Sequence, residues 1–214
     1  MAKVKVSVGN LALRMVVPET GKTVFFGILN RKAFEKGRRM VAATGGAAEL
    51  TEKGQGMLQS CFGATDFEGK DARFVIDEEH LDAVFKVFES RDPETYEINP
   101  LREIREELAT KELPIQNSPV LSRDEVSQIK VRFVKTIRQK FSGCGTSARE
   151  SAGMPTRRLF NLFEIVVSSA IFEKMKSSEA IYILSEGEMA STDGGARKGR
   201  AADGAELADN LIWV

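Results

Sequence analysis

The sequence predicts an α+β or α/β domain, and three observations carry that prediction. "KVKVSVG" near the start alternates Val4, Val6 and Val8 with Lys3, Lys5 and Ser7, the period of two of a half-buried strand. Leu81, Val84, Phe85 and Phe88 recur at i, i+3, i+4 and i+7, which marks an amphipathic helix over 78–89. Between and beyond these two, strand-like and helix-like segments interleave, with no internal repeat of solenoid length.

Taken in order, "LALRMVVPETGKTVFFGIL" continues the β start as two strands around a PETGK turn. Thr20-Gly21-Lys22-Thr23 in that turn is not a phosphate loop, because the glycine required five residues before Gly21 is Val16. Residues 31–42 carry five basic side chains and read as a short helix or a loop. "ATGGAAELTEKGQG" reads as a loop whose Gly45-Gly46 pair allows close backbone approach. Residues 61–76 suggest another short β element. After the helix over 78–89, "SRDPET" is a break, and a second helix runs from Asn99-Pro100 to near Leu113-Pro114.

Two patterns compete over 121–141. Val126, Ile129, Phe133, Ile137 and Phe141 make a helical stripe behind a Ser122/Glu125 capping box, whereas "IKVRFVK" alternates and is rich in β-branched residues. A hairpin from about 128 to 168, around a glycine- and serine-rich loop at 142–157, agrees with the buried-strand character of "RLFNLFEIVVSS". A short helix, the strand "AIYILS", an acidic turn and a mobile glycine-rich segment at about 191–204 follow. "AELADNLIWV" closes the chain as a helix docking Leu211, Ile212 and Trp213.

Composition removes several functions. Lysine plus arginine and aspartate plus glutamate both number 31, so the chain is not built to wrap or slide on nucleic acid. Two distant cysteines, Cys61 and Cys144, make no disulfide framework and favour a reducing compartment. The apolar stretch at the start is interrupted by Ser7, Gly9, Asn10 and Arg14, unlike a signal peptide, and no run approaches the length of a membrane span. A cytoplasmic protein is expected, without a membrane partner. The single histidine, His80, rules out a multi-histidine zinc site and reads as a surface residue of its helix. Carboxylates remain as the titrating groups for chemistry, and they favour magnesium or manganese.

Those carboxylates crowd into "LREIREEL". Glu103, Glu106 and Glu107 stand at i, i+3 and i+4 and share one helical face, while Ile104 and Leu108 take the opposite side. Arg102 and Arg105 point elsewhere around the helix. Three like charges so placed repel by a few tenths of a kcal/mol per pair in water. A divalent cation would convert them into a set of hard oxygen ligands, and a charged surface helix is the plainer alternative.

Glu94, seven residues and then Arg102-Glu103-Ile104-Arg105-Glu106-Glu107 resemble the box of the Nudix hydrolases, G-x5-E-x7-R-E-U-x-E-E-x-G-U with U aliphatic. Phe88 and Ala109 stand where that pattern has glycine, and Thr110 where it has an aliphatic residue. The resemblance implies an α/β/α sandwich, a mixed β-sheet between helices, as one domain over 1–214 with an insertion at about 47–93. It further implies that Glu103, Glu106 and Glu107 bind Mg2+ or Mn2+, that Arg102 and Glu94 pair to hold the loop and helix, and that Gly45 and Gly46 line the cofactor. Ser168, Glu164, Glu186 and Glu188 are downstream candidates, with Glu186 or Glu188 supplying an extra carboxylate. Lys130, Arg132, Lys135, Arg138, Arg157 and Arg158 would meet phosphates or simply form a solvated strand face. The implied activity is hydrolysis of the pyrophosphate linkage of a nucleoside diphosphate attached to another moiety. The alternative is an inactive nucleotide-binding or protein-interaction module of the same fold. A homodimer is left open.

Overall fold

Residues Lys3–Val17 form a single strand, β1, rather than two, because every second side chain from Val4 to Val8 and again at Met15 and Val17 finds an apolar core. The computed structural model describes residues 2–116, 118–139, 154–190 and 199–211. Cys144, the expected loop up to residue 153, the glycine-rich segment over 191–198, and Ile212 and Trp213 lie outside the described residues. The chain divides into two compact units: Met1–Asn10, Gly46–Asn99 and Lys135–Asn161 make the first, and Leu11–Gly45, Pro100–Val134 and Leu162–Val214 the second. The expected insertion at 47–93 falls within the first.

In the first unit, the start of β1 pairs antiparallel with β5 (Arg73–Asp77), Val4 opposite Ile76 and Val6 opposite Phe74. Two helices accompany this pair: α2 (Glu52–Phe62) and α3 (Leu81–Glu89), the latter entered by a single turn at Glu78–His80. Val4, Val6, Val8, Leu58, Phe74, Ile76, Val84, Phe88 and Tyr96 form the unit's core. The expected stripe of α3 is confirmed by buried Val84, Phe85 and Phe88.

α2 corrects the loop expected over "AELTEKGQG". Its apolar periodicity is faint, since only Gly54 and Leu58 are buried, and its start is set by Thr51, whose hydroxyl accepts the Gly54 N–H at 2.9 Å. Gly54 is required by packing: a Cβ there would lie 2.0 Å from the Thr95 carbonyl oxygen. A glycine that lowers helix propensity is thus what lets the helix pack.

In the second unit, the remainder of β1 pairs antiparallel with β2 (Lys22–Leu29), Arg14 opposite Phe25, across the expected PETGK turn, where Gly21 has φ 66°. β2 also pairs antiparallel with β3 (Met40–Ala42) and with β8 (Ile181–Leu184). β3 pairs in parallel with β9 (Glu206–Leu207), so the sheet is mixed. β4 (Thr44–Ala47) is a short strand where a glycine loop was expected. The closing helix is likewise corrected: the β3 edge captures the backbone, with Glu206 N–H bonded to Arg39 O and Ala208 N–H to Val41 O, both at 2.8 Å.

The competing patterns over 121–141 are both used, in succession. Ser122 and Glu125 close a reciprocal capping box on α5 (Arg123–Ser127), and the alternating stretch then forms β6 (Lys130–Arg138) beside β7 (Thr156–Val166). α1 (Arg31–Phe34), α4 (Leu101–Arg105), α6 (Ser169–Lys176) and α7 (Glu186–Ala190) complete the elements. Met15, Val17, Phe26, Ile28, Ile104, Leu108, Phe163, Ile165, Ile171 and Phe172 share one core. The architecture is the expected α+β mixed sheet with helices. Among the described residues, no helix is long and apolar enough to cross a membrane.

Candidate functional site

The second unit places the carboxylate helix by its apolar side. Ile104 and Leu108 are fully buried, and Leu121 N–H donates to the Leu108 carbonyl at 2.9 Å. Glu103, Glu106 and Glu107, at i, i+3 and i+4 on the same helix, are each half-buried. α4 opens after Pro100, whose carbonyl accepts the Ile104 N–H. From Glu106 to Thr110 the helix widens into a five-residue turn, closed by Lys111 N–H on the Glu106 carbonyl at 2.7 Å. Ala109 and Thr110, two of the three positions that depart from the box pattern, lie in that widened turn.

Arg102 turns onto the carboxylate face, contrary to its expected direction. Its Nη1 lies 2.9 Å from Glu103 Oε1 and 3.2 Å from Glu106 Oε1. Lys111 Nζ lies 3.4 Å from Glu106 Oε2. Two cations thus offset the repulsion written into the sequence.

Glu107 is held differently. Its Oε2 accepts the backbone N–H of Gly45 at 3.0 Å. Gly45 has φ 131°, a conformation that side-chain-bearing residues rarely adopt. Burial pushes the Glu107 carboxyl up to about 8, and the neighbouring Glu103 and Glu106 push the same way, while the Gly45 N–H and Lys111 oppose them. Gly45, one of the glycines expected at a cofactor, is here the residue whose N–H holds the half-buried Glu107 carboxyl.

Arg102, Glu103, Glu106, Glu107 and Gly45 all belong to the second unit. Glu94 and Gly46 belong to the first. Glu94 is exposed and forms an ion pair with Lys53, and its carbonyl accepts the Thr51 hydroxyl. Among the downstream candidates, Ser168 caps α6 through the Ile171 N–H, and Glu188 accepts from Ser185 and from the Ala202 N–H at 2.7 Å. Glu164 is buried against Arg132, with Arg14 at 3.6 Å. Of the other basic strand residues, Arg138 bonds Glu89 and Asp82, and Arg157 bonds Glu78. His80 stands edge-on to Phe62 at 6.0 Å. Among the described residues, no three His, Cys, Asp or Glu side chains are gathered so that they could hold a metal ion.

Lys111 and Thr44, which flank the glutamates and Gly45 in sequence, were not singled out by motif. Lys111 lies just beyond the box and Thr44 has no pattern of its own. The pairing of Gly45 with Glu107 spans 62 positions and leaves no local periodicity to read.

A family model described as the SMODS-associated NUDIX domain matches residues 34–202. No curated protein and no solved structure matches the chain. The matched span covers well over half of the chain and includes the carboxylate helix, Gly45 and the hairpin of β6 and β7. By that match, with the glutamate helix within it, the chain belongs to the family of SMODS-associated NUDIX domains.

Proposed function

We propose that the chain is a hydrolase of the pyrophosphate linkage in a nucleoside diphosphate attached to another moiety, working with Mg2+ or Mn2+ at Glu103, Glu106 and Glu107. The observation that carries this reading is Glu107: a half-buried carboxyl on the same helix as two others, pinned by the Gly45 N–H at 3.0 Å, whose desolvation raises its pKa to about 8. A surface helix has no use for that arrangement. The donors fit a hard divalent cation in kind, being carboxylate oxygens on one helical face. Holding one requires Glu103 and Glu106 to leave Arg102. When bound, such a cation neutralises phosphate charge and activates water.

The chain's own groups then have separable tasks. Glu107 would have to be deprotonated to serve as a ligand, and the Gly45 N–H, already bonded to its Oε2, would stabilise the anion. Arg102, were it to leave Glu103 and Glu106, would be a guanidinium available to a phosphate oxygen. Lys111 keeps positive charge at the end of the same face.

The engagement of Glu103 and Glu106 by Arg102 favours a second reading, a module that binds a nucleotide without cleaving it. One experiment separates the two. The protein is incubated with a panel of nucleoside diphosphate derivatives and Mg2+ or Mn2+, beside Glu106→Gln and Glu107→Gln. Turnover by the parent and its loss of about a hundredfold or more in both variants is expected for metal-assisted hydrolysis. Binding of a nucleotide with no turnover on any derivative would establish the module instead.

A further inference from the structure

In the second unit, three neighbouring strands place a row of charge side by side. β6, β7 and β1 follow one another in the sheet, and they contribute Arg132, Glu164 and Arg14. Glu164 is 7% exposed, so its carboxylate has given up most of its water. Arg132 donates from Nε to Oε1 at 2.6 Å and holds the same oxygen through Nη2, while Arg14 Nε lies 3.6 Å from Oε2. One guanidinium is enough to pair a carboxylate, yet here there are two. Lys130, two residues before Arg132 and so on the same strand face, is exposed and meets no carboxylate among the described residues. Three cations against one carboxylate leave two positive charges in excess. A guanidinium carries five N–H donors in a fixed plane. Glu164 takes those of Nε and one of Nη2, and among the described residues Nη1 has no partner. The end-on fork of Nη1 and Nη2 is therefore open, on a side chain that is 60% exposed and oriented by a buried carboxylate. Arg138, farther along β6, is the contrast: Glu89 and Asp82 occupy all three of its nitrogens.

We propose that Arg132, with Lys130 and Arg14 beside it, forms a binding site for a phosphate or pyrophosphate group, and that Glu164 is the positioning residue that orients Arg132. The inference needs neither a divalent cation nor the glutamate helix. A phosphoryl group offers two oxygens at the spacing of the Nη1 and Nη2 donors, so the open fork binds it through two parallel hydrogen bonds. The ammonium of Lys130 adds charge without directional demand. A single carboxylate would also fit the fork, but an excess of two positive charges suits the roughly double negative charge of a phosphate group. Holding the fork in place beforehand lowers the ordering cost of binding, which is the use of a buried carboxylate behind an exposed arginine.

The test is titration calorimetry of the full chain in chelator, with inorganic pyrophosphate, ADP and adenosine as separate ligands. The parent should bind pyrophosphate and ADP but not adenosine. Arg132→Gln should weaken both by about tenfold or more, and Arg138→Gln, which removes the same charge from the same strand, should leave both within about twofold. Arg132→Lys keeps the charge without the fork and should still lose about threefold or more; it carries the comparison should Arg132→Gln fail to fold. Glu164→Gln separates positioning from charge. It makes the row more positive, so a purely electrostatic site would bind pyrophosphate more tightly, whereas loss of the oriented fork weakens binding. Tighter binding by Glu164→Gln overturns its positioning role. A parent that binds no pyrophosphate overturns the site, as does an equal loss in Arg132→Gln and Arg138→Gln, which would show diffuse charge. Binding of adenosine as strong as that of ADP would overturn it too, by placing recognition on the nucleoside. None of these outcomes touches the cation reading of the glutamates, which is tested by turnover with Mg2+ or Mn2+.

Discussion

At Glu107, burial and the adjacent carboxylates work against ionisation, and the Gly45 N–H and Lys111 offset them only in part. The folded value of about 8, against an ordinary 4.5, means that the folded chain keeps a proton the unfolded chain has released between those pH values. Its stabilising effect is complete below about 4.5, declines as pH rises and is spent above about 8. In chelator, the melting temperature should fall over that window, by an amount equivalent to roughly 3–5 kcal/mol at most. Glu107→Gln should flatten the profile, and an unchanged slope would mean that Glu107 is not the titrating group. On the proposed cation reading that proton would have to leave on binding, so any Mn2+ affinity should rise from pH 6 to 8. The sequence made the shared face of Glu103, Glu106 and Glu107 legible because a helix converts spacing into geometry. It could not make the hold on Glu107 legible, because that comes from a backbone N–H contributed by a distant strand.

Along the carboxylate helix, one guanidinium serves two glutamates, and its removal has a direction that can be predicted. Arg102→Gln leaves Glu103 and Glu106 to repel one another with only Lys111 to compensate at Glu106. The metal-free protein should lose about 1 kcal/mol, because the groups are partly exposed and screened. The upward shift in melting temperature on adding Mg2+ should grow, since Arg102 no longer competes for the carboxylates. A shift smaller than the parent's would show that Arg102 supports cation binding rather than opposing it. Other elements show where local pattern is sufficient and where it is not. α3 and α5 were readable because a repeated apolar stripe and a capping box are local signals. α2 was hidden because it owes its place to Gly54 sitting against the Thr95 carbonyl, and β9 because a two-residue strand exists only through the edge of β3.

Across the whole chain, the first unit is assembled from three separated stretches, and a buried polar network joins them. Asn161 Nδ2 donates to Asn10 Oδ1 and to the Tyr96 hydroxyl, each at 3.1 Å, and Thr136 Oγ1 donates to Asn161 Oδ1 at 2.8 Å. The Tyr96 hydroxyl donates a hydrogen bond to the Phe88 carbonyl at 2.6 Å, and Asn10 Nδ2 donates to the Glu97 carbonyl at 2.6 Å. Burial pushes the Tyr96 phenol up, which keeps it a donor over the ordinary pH range. None of this is visible as a motif: an isolated asparagine in "RLFNLFEIVVSS" looks like a polar interruption of an apolar strand, yet Asn161 is fully buried because its partners arrive from three other places in the chain. Tyr96→Phe removes one donor and should cost about 1–3 kcal/mol, and Asn161→Leu, which strands several partners at once, should cost more. Because both break the same bond, the double variant should lose less than the sum of the two, by about 0.5–3 kcal/mol. Amide exchange in β5 and α3 reports the loss where the network lies. Strict additivity would mean that the two side chains stabilise the unit independently, and the network would then be a set of separate contacts rather than a coupled one.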